Sequence, residues 1–139
     1  MKKKIAIIGA GIGGLTLANL LQNNLNFEFV VYEKNETLNL DEGFGVQLAV
    51  NSISVLNQIG FTSLNKSDSY NPEKLDFYSN EDKICELDLT QFNNETEKYT
   101  TLKRSTLIKF LKDKLFCKRF PIVSPLIPAP IIAIFFFIN

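Results

Sequence analysis

At 139 residues the chain is long enough for one domain with a core, and short of the two domains that most cofactor-plus-substrate enzymes use. Fifteen Lys and Arg balance fifteen Asp and Glu, with 45% hydrophobic and 22% charged residues. That is a globular composition without the positive field that nucleic acid binding needs. There is no histidine, which excludes His-ligated metals, Ser-His-Asp and Cys-His nucleophile systems and a histidine general base. Cys85 and Cys117 have no CxxC or other ligand spacing. They read as small apolar core residues of a reducing compartment, so a cytoplasmic protein with no metal site and no disulfide is expected.

Lys2-Lys3-Lys4 precede an uncharged stretch from Ile5 to Phe27, the outline of a signal peptide. Glycines at 9, 11 and 14 phase that stretch, however, and a strand-like run follows it at once. The pattern therefore predicts a strand over Lys4–Ile8, apolar and β-branched enough for a buried parallel strand. A helix should follow over about Gly13–Asn23, with Leu17, Leu20 and Leu21 on one face. Phe27–Tyr32 completes a βαβ unit with a right-handed crossover. Asn51 is placed to cap a helix presenting Val55, Leu56 and Ile59, ended by Gly60 in a left-handed conformation. Leu75–Tyr78 and Ile84–Leu89 alternate around Asn80-Glu81-Asp82 as a β-hairpin. Ser105 should cap a last helix with Leu107, Ile108, Leu111 and Leu115 inward. Beyond Arg119 the character changes: Pro121–Asn139 carries no charge, four of the five prolines and Phe135-Phe136-Phe137. Its apolar run from Ile131 to Ile138 is far below the ~20 residues that span a bilayer, so no transmembrane helix is predicted.

The sharpest motif is Gly9-Ala10-Gly11-Ile12-Gly13-Gly14, where a strand ends and a helix begins. Gly9 suits the tight turn, Gly11 the approach of backbone to a pyrophosphate, and Gly14 close packing of helix on strand. Phosphates would meet the N–H groups and positive dipole end of the helix. Glu33 follows nineteen residues after Gly14, at the end of the second strand, where a carboxylate accepts ribose hydroxyls. Strand, turn, helix, strand and acid in this order point to dinucleotide binding. The motif leaves FAD and NAD(P) both open, and Glu33 disfavours a 2′-phosphate.

With two further blocks the sequence resembles the FAD-dependent monooxygenases of aromatic rings and quinone precursors, the p-hydroxybenzoate hydroxylase-like family. The first block is Ile8 to Leu15 with Tyr32-Glu33-Lys34. The second is Gly43-Phe-Gly-Val-Gln-Leu-Ala-Val-Asn51, followed by Val55-Leu56 and Ile59-Gly60, similar to the family's "GxGIxLxPNxxxxLxxLG"; Val50 stands where the family usually has proline. The third is Arg104-Ser-Thr-Leu107 with Leu111, similar to "RxxLxxxL". The resemblance implies an α/β fold: a Rossmann-like FAD/NAD(P)-binding fold with a βαβ start, an added β-hairpin and an incomplete parallel sheet. It implies that Gly9, Ala10, Gly11, Ile12, Gly13 and Gly14 cradle the FAD pyrophosphate, that Glu33 holds the adenosine ribose and that Lys34 lines the adenine side. Gly45, Val46 and Gln47 would pass the flavin side, and Arg104 would contact the cofactor. Lys34 and Gln47 read equally well as solvated side chains. No catalytic acid or base is assigned, because in this family the flavin carries the chemistry: NAD(P)H reduces it, and O2 then hydroxylates a small aromatic or quinone-precursor substrate.

The resemblance covers residues 1 to about 116, roughly the first third of a family member, as the N-terminal part of an FAD-binding domain. The family's later "DG" and "GDAAH" blocks and its substrate-binding sheet are not found. Residues 117–139 form an apolar, Pro-rich tail unlike the family's next segment, which would be a strand of the central sheet. A truncation or frameshift would produce such a change. The expectation is a marginal, aggregation-prone chain with an unprotected sheet edge, binding FAD weakly or not at all unless a partner chain supplies the missing strands. An NAD-type Rossmann binding module and a nonfunctional fragment stand as alternatives.

Overall fold

In a computed structural model of the chain the structure describes residues 3–35, 43–64, 66–116 and 122–123. In chain order the elements are β1 (Lys3–Ile8), α1 (Ile12–Leu21), β2 (Phe27–Tyr32), β3 (Gly45–Leu48), α2 (Val50–Asn57), β4 (Ser69–Tyr70), β5 (Lys74–Ser79), β6 (Asp82–Asp88), β7 (Thr100–Lys103), α3 (Arg104–Phe116) and β8 (Ile122–Val123). They fall into two units, residues 1–40 with 108–139, and residues 41–107. The expected α/β class and Rossmann-like start are present, and the sheets are small and open.

In the first unit β1 and β2 run parallel, in register from Lys3↔Phe27 to Ile8↔Tyr32. β8 joins the other side of β2, also parallel, through Val31↔Ile122 and Tyr32↔Val123. The segment after α3, expected to lack the family's next strand, thus contributes a two-residue strand to this sheet. Among the described residues β1 is an edge strand, and it is not buried as predicted: Ile7 is buried but Ile8 is 47% exposed. A strand with one neighbour and one covered face hides alternate residues only.

Helix α1 buries Leu15, Ala18 and Asn19, whereas Leu17, predicted to face inward, is 42% exposed, and Leu20 and Leu21 are half-buried. The inward stripe is the i, i+3, i+4 set counted from Leu15, phased by where the glycine turn launches the helix rather than by the largest side chains. Asn19 is fully buried. Its Nδ2 donates to the Leu15 and Leu111 carbonyls, both at 2.8 Å, and its Oδ1 accepts from Gln22 Nε2 at 2.9 Å. In the C-terminal part of α3, Ile108, Leu111 and Leu115 are buried at the spacing expected of them.

In the second unit β7 is the centre of an antiparallel sheet, flanked by β3 from Gly45↔Lys103 to Leu48↔Thr100 and by β4 through Ser69↔Leu102. α2 is capped by Ala49 and starts at Val50, so the predicted cap Asn51 lies inside its first turn. Val50 occupies the first helical position, where proline is favoured and not required, and the turn forms without it. Ile53, Leu56 and Ile59 are buried while Val55 is 38% exposed, and Gly60 has the expected left-handed conformation at φ 86°. α3 begins at Arg104, one residue before the predicted cap Ser105, and Leu107 is buried. The β5–β6 hairpin forms as predicted, turning at Asn80 with φ 55°. Cys85, read as a core residue, is exposed on β6, because no second layer among the described residues covers that strand. Cys117 and the tail from Ser124 onward lie outside the described residues.

Candidate dinucleotide-binding site

The glycine-rich segment forms a turn between β1 and α1. Gly9 has φ +97°, a conformation that favours glycine, and its N–H donates to the Tyr32 carbonyl at 2.7 Å. That bond ties the end of β1 to the end of β2. Gly11 is the extended N-cap, and the first helical bond is Leu15 N to Gly11 O at 2.9 Å. The N–H groups of Gly11, Ile12, Gly13 and Gly14 therefore have no acceptor within the helix. A Cβ added at Gly11 or Gly13 would meet nothing within 4 Å, so open space adjoins these donors. At Gly14 a Cβ would overlap the Gly9 carbonyl oxygen and come 3.3 Å from Ile7 Cγ2. The three glycines thus do different work: turning, leaving room, and letting the helix sit against the turn. A diphosphate fits this arrangement sterically and electrostatically.

Glu33 lies just past β2, half-buried. Its Oε2 accepts the Ala10 N–H at 2.8 Å and its Oε1 accepts the Asn35 N–H at 3.1 Å. Ala10, predicted as part of the phosphate cradle, is 1% exposed, and its N–H is directed to Glu33 instead. Lys34 is exposed.

The remaining predicted residues form their own group in the second unit. Gly45, Val46 and Gln47 lie on β3 opposite Lys103, Leu102 and Thr101 of β7. Arg104 follows β7, and its N–H donates to the Phe44 carbonyl at 3.1 Å. Gly43 has φ +111°, and a Cβ there would come 2.7 Å from Arg104 Cδ. The arginine stem thus passes directly over this glycine. Gly43 was not predicted as a site residue, although its place two residues before Gly45 was a signal for it. Gln47 is exposed, and its Oε1 accepts from Tyr99 Oη at 2.9 Å.

On the hairpin, Lys74 and Lys83 bridge Asp76 and Glu86, with Lys83 to Asp76 at 2.8 Å and Lys74 to Glu86 at 3.2 Å. The hydrogen bond from Lys83 holds the Asp76 carboxyl below the usual range, and the Thr90 hydroxyl does the same for Asp88. Ser54 and Asn94 lower Glu97. Among the described residues no group of three or more Cys, Asp or Glu could hold a metal ion, and no helix is long and apolar enough to cross a membrane.

Residues 7–41 match the NAD(P)-binding Rossmann-like domain family. The FAD-dependent monooxygenase pytG of Aspergillus terreus is 46% identical over 56 residues, 40% of this chain and 16% of pytG. The chain resembles the N-terminal part of FAD-dependent monooxygenases. The 3-amino-4-hydroxybenzoate 2-monooxygenase PtnB3 of Streptomyces platensis is 45% identical over 60 residues, 42% of this chain and 14% of that protein. Among solved structures, the tetrameric 2-methyl-3-hydroxypyridine-5-carboxylic acid oxygenase superposes with a TM-score of 0.72 at 20% identity, covering 88% of this chain and 31% of its own. The probable FAD-dependent monooxygenase pqsL of Pseudomonas aeruginosa gives 0.66 at 20% identity, covering 84% and 30%. At these identities the superpositions establish the fold. The chain spans 16% of the length of pytG and 14% of that of PtnB3, and under a third of these two solved chains.

Proposed function

We propose that this chain binds FAD, as the N-terminal part of a flavin-dependent monooxygenase acting on a small aromatic or quinone-precursor ring with NAD(P)H and O2. The observation that carries the reading is the turn at Gly9–Gly14: N–H groups with no acceptor within the helix, open space at Gly11 and Gly13, and Glu33 beside the turn. The comparisons point to the same cofactor class. When bound, FAD supplies the redox chemistry. The chain's own residues supply binding and orientation. Gly11, Ile12, Gly13 and Gly14 present N–H groups to the pyrophosphate, with Gly9 setting the turn. Glu33 accepts the adenosine ribose hydroxyls through its remaining lone pairs, and Lys34 extends toward the adenine. By the family resemblance, Gly45, Val46, Gln47 and Arg104 would meet the flavin side. Residues 1–116 make up the cofactor-binding part, and Ile122–Val123 add to its sheet.

FAD titration of the purified chain tests this, read by flavin fluorescence and by protection from thermal unfolding. Stoichiometric binding abolished by Gly11→Val or Glu33→Arg is the expected result. A folded chain that binds no FAD overturns the proposal. The match of residues 7–41 to an NAD(P)-binding family supports a second reading, a nicotinamide-nucleotide module, and NADH binding without FAD binding would establish it.

A further inference from the structure

The N–H groups of Gly9 and Ala10, consecutive in the turn, are both tied to the end of β2. Gly9 donates to the Tyr32 carbonyl at 2.7 Å and Ala10 to Glu33 Oε2 at 2.8 Å. The second bond is charge-assisted and part-buried, and the Ala10 side chain beside it is 1% exposed. Loss of its acceptor would strand a donor where water has poor access. Glu33 is itself steadied by the Asn35 N–H on its other oxygen.

We infer that Glu33 is a positioning residue for the phosphate-binding turn, acting through the Ala10 amide, as well as a ribose acceptor. This rests on the dinucleotide-binding reading and adds to it a role that exists before any ligand arrives. A carboxylate has about four acceptor sites. Two are engaged within the chain, and the others are left for sugar hydroxyls. One side chain thereby joins the part of the site that meets the sugar to the part that meets the phosphates. Fixing the turn in advance lowers the ordering cost of binding. It also gives the negative group beside a site for a diphosphate a second use, besides accepting sugar hydroxyls, that offsets its repulsion of the phosphates.

The first test is amide hydrogen exchange on the ligand-free full chain. In Glu33→Ala the Ala10 amide is expected to exchange about tenfold faster or more, with the Ala18 amide in the middle of α1 unchanged. Glu33→Gln keeps an acceptor at the same reach and is expected to restore most of the protection. Equal Ala10 exchange in Glu33→Ala and the unmodified chain overturns the inference. If Glu33→Ala unfolds, Glu33→Asp replaces it: the shorter acid is expected to lose Ala10 protection where Glu33→Gln keeps it, and the reverse order overturns the inference. The second test titrates 2′,3′-dideoxy-ADP, which has no sugar hydroxyls. A turn-positioning Glu33 predicts severalfold weaker binding to Glu33→Ala than to Glu33→Gln. A residue that only reads sugar predicts that both variants bind alike, and more tightly than the unmodified chain through relief of repulsion. Should ADP itself fail to bind the unmodified chain, the dinucleotide reading falls, and the exchange experiment still decides the role of Glu33.

Discussion

Gly14→Ala and Gly13→Ala are the same substitution at adjacent positions of one helix, and the structure assigns them opposite signs. A methyl at Gly14 would overlap the Gly9 carbonyl oxygen, 3.1 Å from its carbon and 3.3 Å from Ile7 Cγ2. The obstacle is backbone, held in place by the Gly9 N–H bond to Tyr32, so relief requires α1 to move away from the turn. Overpacking of this kind costs about 1–3 kcal/mol and more where backbone must shift. The gain in helix propensity from Gly to Ala returns at most about 1 kcal/mol. A net loss near 2 kcal/mol is expected, lowering Tm by about 5–10 °C. At Gly13 the added methyl meets nothing within 4 Å, so the propensity gain stands alone and stability rises by up to about 1 kcal/mol. The same methyl occupies space assigned to the cofactor phosphates, so FAD affinity is expected to fall as stability rises. Urea and thermal unfolding followed by circular dichroism measure both variants. A Gly14→Ala chain as stable as Gly13→Ala would refute the close approach of α1 to the turn.

Gly43→Ala combines a strained φ with a clash against the Arg104 stem, and should cost about 1–3 kcal/mol in urea unfolding. Asn19→Ala removes the buried donor shared by Leu15 and Leu111 and leaves a small cavity, so a loss of about 2 kcal/mol is expected, with faster amide exchange in α1. Asp76, Asp88 and Glu97 have carboxyls depressed in the folded chain. Their contribution is therefore present above the ordinary carboxylate range and is lost as pH falls through the folded values. Unfolding midpoints should drop in acid, and for the half-buried Asp76 and its lysines the effect should shrink in high salt and vanish in Asp76→Asn. Cys85, being exposed, should be alkylated by a thiol reagent in the native chain without prior unfolding; protection equal to that of a buried thiol would contradict the open face of β6.

Some features of the protein follow from local backbone rules and were legible in the residues themselves. The order strand, glycine turn, helix, strand and acid needs no distant partner to be read, because Gly9 and Gly60 answer to φ, the β5–β6 turn to Asn80, and the α3 stripe to helical period. Other features depend on which residues meet across long separations. Nothing near Ala10 announces that its N–H belongs to Glu33, 23 positions away, nor does anything near Gly43 announce the arginine lying over it. Leu17 and Cys85 have apolar character and were expected inside. They are exposed because the inward face of α1 is phased by its launch point, and because β6 has no covering layer among the described residues. Asn19 is the converse, a polar side chain buried because its amide satisfies two carbonyls and a glutamine at once. Periodicity and propensity specify which elements form; burial and long-range hydrogen bonding depend on where those elements come to rest, and that is set by the packing of the folded chain.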